Sequence, residues 1–267
     1  MAKFLEDARI LSNMNFAPDL WSLRLQAPRM AAAIKPGQFV KIDLGESGHI
    51  LRRPLSVYQA DLKAGEIELL YQVVGSGTRL MSAWRPGETR SLLGPLGMPW
   101  PVPEGTRRAL LIGGGIGTAP LALLDQQLKA DPAITVTMVQ AAQTAERLVA
   151  RGFFERTVDT WLCATDDGSA GACGLITVPL EELLATQHFD VAYVCGPEVM
   201  QAPVARLCAQ HGLRCYVSLE RRMACGIGAC AGCVVKTTSG LKGVCMLGPI
   251  FDAEEVCWDD NVASRVR

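Results

Sequence analysis

Apolar and polar residues alternate with a period of two at Ser22-Leu-Arg-Leu-Gln, the pattern of a strand with one buried face. Pro36-Gly37 marks a turn, and residues 38–44 predict the next strand. Residues 67–74 predict another, entered from the turn Ala64-Gly65. Arg85-Pro86-Gly87-Glu88 is a further turn, followed by a short strand at residues 91–93 that ends at Gly94-Pro95. Short strands about ten residues apart predict a small barrel or sandwich over residues 1–100, the antiparallel barrel being preferred.

The period changes after Pro99, Pro101 and Pro103, which predict a hinge or linker at residues 99–105. Strand patterns at 108–112, 134–139, 158–164, 191–195 and 214–219 then alternate with helical patterns at 120–130, 144–151, 181–186 and 198–210. That order predicts a parallel sheet with helices on its faces, an α/β nucleotide domain over residues 101–218. From residue 219 to 267 the pattern breaks into Gly- and Cys-rich sequence, a third and smaller module.

Composition narrows the function. Of 267 residues, 26 are basic and 27 acidic, for a net charge of -1, which argues against binding nucleic acid through its phosphates. The start lacks a long apolar stretch and the apolar runs are too short to span a bilayer, so a soluble, cytoplasmic chain without membrane contact is expected. Ten cysteines are too many for disulfides in a reducing compartment, and their clustering near the C-terminus points to metal or cluster binding.

Cys225, Cys230 and Cys233 form a C-x4-C-x2-C run, with Cys245 following. This is the spacing of a plant-type [2Fe–2S] site. Thiolates are soft ligands suited to iron–sulfur clusters, and Gly226, Gly228 and Gly232 let the loop wrap closely and aim N–H groups at sulfur. The competing reading is structural zinc, which usually takes two separated C-x2–4-C pairs; Cys245 has no such close partner. Cys163, Cys173, Cys195, Cys208, Cys215 and Cys257 are scattered, and most read as small buried hydrophobes.

Three further segments suit a phosphorylated ligand. Gly113-Gly114-Gly115-Ile-Gly117-Thr118-Ala-Pro120 follows a predicted strand and opens a helix, where backbone N–H groups favour a phosphate. Its spacing departs from G-x-G-x-x-G, and a glycine-rich turn with no ligand is the plain alternative. In Arg52-Arg53-Pro54-Leu55-Ser56, an arginine beside a hydroxyl suits a pyrophosphate; a solvated arginine pair on an edge strand competes with that reading. Gly75-Ser-Gly77-Thr78 permits a close backbone approach or is a plain strand-to-helix turn. No catalytic dyad is evident, and His49, His188 and His211 read as ordinary histidines.

Together these segments resemble the ferredoxin–NADP reductase superfamily: Arg53 to Ser56 its flavin signature, Gly75 to Thr78 its flavin-phosphate loop, Gly113 to Leu121 its pyridine-nucleotide loop, Cys195-Gly196-Pro197 its nicotinamide-facing motif. Ser218-Leu-Glu-Arg-Arg-Met-Ala-Cys, the cysteine run, and Gly248-Pro-Ile-Phe-Asp-Ala-Glu-Glu-Val resemble the electron-transfer subunit of type B dihydroorotate dehydrogenase. That resemblance implies FAD held by Arg53, Pro54, Leu55, Ser56, Leu70, Tyr71, Gln72, Gly77 and Thr78. It implies NAD at Gly113, Gly114, Gly115, Gly117, Thr118, Cys195, Gly196 and Pro197, and a [2Fe–2S] cluster on Cys225, Cys230, Cys233 and Cys245. It also implies an FMN-containing dihydroorotate dehydrogenase catalytic subunit as partner, two of each chain forming a heterotetramer that serves pyrimidine biosynthesis. NAD rather than NADP rests on the resemblance, because Arg147, after the second strand of the nucleotide domain, suits a 2′-phosphate. A flavin/iron–sulfur subunit of a ferredoxin:NADP or sulfide oxidoreductase shares these modules and is the alternative. A non-catalytic iron–sulfur scaffold is a third reading.

Overall fold

The computed structural model describes residues 3–45 and 47–263. Its first sheet holds seven antiparallel strands: β1 (Phe4–Ala17), β2 (Leu20–Gln26), β3 (Phe39–Ile42), β4 (Arg53–Ser56), β5 (Gln59–Asp61), β6 (Glu66–Gln72) and β7 (Thr89–Leu96). They lie in the order β4-β3-β7-β1-β2-β6-β5. The sheet curls until its ends meet. Val57 N–H donates to Gln38 O beside β3, and the next residue, Tyr58, donates to Glu68 O on β6. Alternate residues fill the interior: Leu23, Leu25, Val40, Ile42, Ile67, Leu69 and Tyr71 are buried in one cluster. Full burial of such side chains contributes about 1.5–3 kcal/mol each. Two short helices, α1 (Pro28–Ala33) and α2 (Ser76–Ser82), accompany the barrel.

The second sheet is built from β8 (Arg108–Gly114), β9 (Thr135–Ala142), β10 (Thr160–Thr165), β11 (Ala172–Cys173), β12 (Val191–Cys195) and β13 (Cys215–Ser218), all parallel. The helices α3 (Pro120–Lys129), α4 (Arg151–Thr157), α5 (Thr177–Thr186) and α6 (Glu198–Gln210) connect them. The strand order β11-β10-β9-β8-β12-β13 reverses between β8 and β12. Ligands of such sheets bind where the order reverses, beyond the carboxyl ends of the strands.

The remaining segment contributes a hairpin, β14 (Val234–Thr237) with β15 (Gly240–Gly243), then α7 (Val244–Leu247), β16 (Ile250–Asp252) and α8 (Trp258–Ala263). β16 pairs antiparallel with β13, so the last module completes the edge of the second sheet.

Two expectations change. The helix expected at residues 144–151 is a single 3₁₀ turn, Ala145–Arg147; Ala150 adopts a left-handed conformation (φ 57°), and the helix starts only at Arg151. The proline-rich segment is a packed strap rather than a loose hinge. Trp100 is buried, its N–H donates to Pro36 O, its ring meets Tyr193 edge-on at 5.5 Å, and the Tyr193 hydroxyl donates to Pro101 O at 2.9 Å.

Candidate functional site

At the start of β4, Arg52 just before the strand and Arg53 at its first position divide their work. Arg52 ion-pairs with Asp43 at 3.3 Å and donates to Ser91 O at 2.7 Å, so it belongs to the sheet. Arg53 lies across the start of α2: a Cβ built on Gly77 would stand 2.5 Å from Arg53 Nε. A side chain at residue 77 would therefore push the guanidinium off the loop. Thr78 Oγ1 accepts from Val74 N–H (2.9 Å) and Gly75 N–H (3.2 Å), fixing the turn. β4 to Gly77 is thus a cradle with a cation, a glycine and a helix start, suited to a pyrophosphate.

β6 shows which side chains face that cradle. Leu70 and Gln72 point out of the barrel. Tyr71 points in, 1% exposed, and donates to Asn13 Oδ1 at 3.0 Å, with burial pushing its phenol well above the usual value. A ligand lying outside the barrel along β6 would therefore meet the main chain of Tyr71 rather than its ring.

The second half of the site lies at the β8/β12 reversal. Cys195 is registered against Gly113, so the loops after the two strands meet. A Cβ on Gly117 would sit 2.6 Å from Gly196 Cα, one on Gly114 2.4 Å from Met200 Sδ, and one on Gly113 2.6 Å from Thr118 Oγ1. Gly117 is a packing requirement because it meets backbone, whereas at Gly113 and Gly114 the side chains of Thr118, Met138 and Met200 would have to shift. Gly115 differs: its φ is 53° and no atom lies within 4 Å of its Cβ position, so its backbone borders open space as a ligand-facing residue should. Thr118 is fully buried, and its hydroxyl has no hydrogen-bond partner among the described residues. Gln201 donates to Gly196 O (2.6 Å) and Ser218 O (2.8 Å), bracing the turn at Cys195-Gly196-Pro197. Burial, reinforced by the Glu220 carboxylate, pushes the Cys195 thiol up to about 12, so it stays neutral at physiological pH.

The four clustered cysteines form two neighbouring pairs. Cys225 receives N–H bonds from Ile227, the thiol of Cys230, and N–H bonds from Cys230 and Ala229; together they hold it down at about 6. Cys245 is buried beside Cys233 and is pushed up to about 11, by burial first and by the Cys233 sulfur second. Cys245 N–H also donates to Cys233 Sγ at 3.5 Å. Two thiol pairs with backbone N–H groups beside them supply the soft donors and hydrogen bonds a two-iron cluster takes, although among the described residues no three of the donors are already gathered as a metal site. Residues 219–233 form no strand or helix and are mostly exposed; Cys230 is exposed, whereas Cys233 and Cys245 are buried.

Two cross-links that sequence reasoning missed tie this loop down. Arg221 donates to the buried Glu198 carboxylate at the start of α6, and to Asn261 Oδ1 (2.9 Å) and Val234 O (3.2 Å). Lys41 of β3 donates to Ala224 O; burial pulls its pKa down, while Cys225, Cys230 and Cys245 push it back up and Arg52 opposes them. Neither could be found by spacing, because each partner is remote in sequence.

A barrel with a cradle suited to a pyrophosphate, a nucleotide sheet with its crevice at the strand reversal, and a four-cysteine module against both define a flavin- and pyridine-nucleotide-linked reductase with an iron–sulfur module. Residues 7–99 match the family described as "Oxidoreductase FAD-binding domain", and residues 220–257 match "Iron-sulfur cluster binding domain of dihydroorotate dehydrogenase B". The chain is 34% identical to the "Dihydroorotate dehydrogenase B (NAD(+)), electron transfer subunit" of Desulforamulus reducens, over 95% of this chain and 98% of that one. It is 38% identical to the subunit of the same name from Geobacillus sp. (strain WCH70), over 94% and 98%. The chain belongs to this family of dihydroorotate dehydrogenase B electron-transfer subunits. A solved NADH-dependent reduced ferredoxin–NADP oxidoreductase, studied for flavin-based electron bifurcation, superposes with a TM-score of 0.88 at 32% identity, covering 96% of this chain and 91% of that one. A ferredoxin reductase of carbazole 1,9a-dioxygenase shares the fold at a TM-score of 0.68 and 22% identity, over 80% of this chain and 67% of that one.

Proposed function

We propose that this chain carries electrons from a dihydroorotate-oxidising, FMN-containing subunit to NAD+, as half of a heterotetramer with two copies of each chain in the cytoplasm. Among the described residues no helix is long and apolar enough to cross a membrane. The observation that carries the reading is one of placement: the loop bearing Cys225, Cys230 and Cys233 seats on β3 through Lys41, and β3 pairs with β4, the strand bearing the Arg53 cradle. When bound, a [2Fe–2S] cluster passes single electrons, FAD exchanges single electrons or a hydride, and NAD+ takes the hydride.

The chain's own residues bind and position. Arg53, with Pro54, Leu55 and Ser56, holds FAD along β4, while the main chain of Leu70, Tyr71 and Gln72 flanks it and Gly77 and Thr78 meet its phosphates. Gly113, Gly114, Gly115, Gly117 and Thr118 shape the NAD pocket. Cys195, Gly196 and Pro197 close its other wall, the buried thiol offering a neutral surface to the nicotinamide. Cys225, Cys230, Cys233 and Cys245 hold the cluster. The hydride transfer from a reduced flavin to NAD+ itself needs no acid–base residue.

The test is co-expression with an FMN-containing dihydroorotate dehydrogenase subunit, followed by anaerobic purification. A complex with flavin and cluster absorption that reduces NAD+ with dihydroorotate is expected; no complex and no NAD+ dependence sinks the reading. The likeness to the ferredoxin–NADP oxidoreductase favours one alternative, a subunit that exchanges electrons with ferredoxin and NADP(H). NADPH-linked ferredoxin turnover in the same preparation, without dihydroorotate turnover, would select it.

A further inference from the structure

Lys41 is an unusual residue for a barrel strand. Its neighbours Val40 and Ile42 fill the barrel interior, so Lys41 projects from the opposite face, as Phe39 does. There it is covered by the cysteine loop and is only 1% exposed. Its ammonium donates to the carbonyl of Ala224, the residue before Cys225. The loop is shaped to admit it: Gly226 adopts φ 74°, and a Cβ at that position would come 2.5 Å from Lys41 Cδ and 3.5 Å from Leu96 Cδ1. The nearest like charge, Arg52, is itself paired with Asp43.

A buried ammonium is costly unless an anion compensates it, and one carbonyl is a partial answer. The seat is lined by the loop at Ala224 and Gly226, and the sulfurs of Cys225, Cys230 and Cys245 lie near enough to favour its charge, with Arg52 opposing them. Four thiolates around a [2Fe–2S] unit are anionic, and an added electron makes the group more so. A fixed cation beside it in a low-dielectric seat favours the reduced form, because no solvent has to reorganise to supply the charge.

We infer that Lys41 is the countercation of the cluster: a positioning residue on the flavin barrel that seats the loop of residues 225–233 and raises the cluster's reduction potential. This rests on assigning the cluster to the four cysteines. Position ties the two roles together. Lys41 lies opposite Pro54 of the flavin strand, so one strand fixes the cluster loop and the flavin cradle relative to each other.

The experiment compares the cluster midpoint potential, by EPR-monitored redox titration of the co-purified complex, in wild type, Lys41→Met, Lys41→Gln and Lys41→Arg. Flavin content and flavin reduction by NADH serve as folding controls. Both neutral variants should bind the electron at least tenfold more weakly, a downward shift of about 59 mV or more for a one-electron couple. Lys41→Gln keeps a donor for Ala224 O, and Lys41→Arg keeps the charge and should stay close to wild type. A wild-type potential in Lys41→Gln overturns the inference. If the neutral variants lose the cluster while Lys41→Arg retains it, the charge is required and the inference stands. If all three lose it while flavin loading persists, the lysine only packs, and the inference fails. A wild-type complex with no [2Fe–2S] signal would instead defeat the cluster assignment itself.

Discussion

The nucleotide crevice and the cysteine loop solve the same problem, gripping a charged cofactor, by opposite means. At the crevice the backbone is the device. Gly113, Gly114, Gly117 and Gly196 bring loops so close that a single methyl would collide, and β8 and β12 hold those loops in register. The loop at residues 219–233 has no strand or helix of its own, and side chains anchor it: Arg221 to Glu198, Lys41 to Ala224, and the thiols to one another. A site built from main chain is formed before its ligand arrives. A site built from charged anchors and thiols depends on its ligand for much of its order.

The contrast can be broken most sharply at Cys230. Cys230→Ser should abolish the [2Fe–2S] signal and all dihydroorotate-to-NAD+ transfer, while NADH still reduces the flavin; surviving transfer would show that electrons bypass the loop. The expected local consequence is faster hydrogen exchange at residues 220–233 with none at β8 or β12.

Arg221→Met comes next. It leaves Glu198 as a buried charge without its arginine, and the side chains of the pair are 12% and 3% exposed. Breaking such a pair costs about 3–5 kcal/mol, readable as a lower urea midpoint. A change below about 1 kcal/mol would mean that the anchor is dispensable and the loop is held by thiols alone.

Gly117→Ala tests the other region. The new methyl would meet Gly196 backbone, which cannot swing aside as a side chain can. Overpacking of this kind costs about 1–3 kcal/mol, and NAD+ affinity by calorimetry should fall at least tenfold with cluster content unchanged. Unchanged affinity would show the crevice to be more pliable than its contacts imply.

The smallest effect is expected at Asp190, just before β12. Its carboxylate accepts from the N–H groups of Arg107 (2.8 Å) and Arg108 (2.7 Å), which hold it below the usual carboxylate value. The folded pKa lies below the unfolded one, so the stabilisation is complete above about pH 4 and is lost as pH falls through the folded value. Asp190→Asn should lower Tm slightly at pH 7, and by progressively less as pH falls below about 4; a loss that does not shrink with acid would point to packing instead.

Local signals were the legible ones. The Gly113–Thr118 segment, the Cys195-Gly196-Pro197 turn and the cysteine spacing each occupy a short window, and each lies where the strand pattern puts it. β1 escaped because its alternation slips: register shifts between Ile10 and Ser12 and between Asn15 and Ala17 move side chains to the other face and blur a period of two. The run at residues 144–151 has helical spacing, but Ala150 leaves the helical region before one can form. Lys41 reads as one polar position in an apolar strand, and nothing near it in sequence announces a loop more than 180 residues on. Tyr71 shows the converse limit: the motif placed the residue, while only strand alternation in three dimensions reveals that its ring turns inward.

β16 carries a consequence for engineering. The boundary drawn at residue 218 separates motifs, yet Ile250–Asp252 lies beyond it and zips onto β13. The turn at Gly248 and Pro249 also accepts hydrogen bonds from Met98 at the barrel's exit and from Leu219. Transplanting residues 219–267 onto another reductase would therefore strip the donor of a border strand and expose β13 as an open edge prone to self-association. A chimera that exchanges cluster modules has to move β13 and β16 together, or graft only residues 220–247 and leave the border in place.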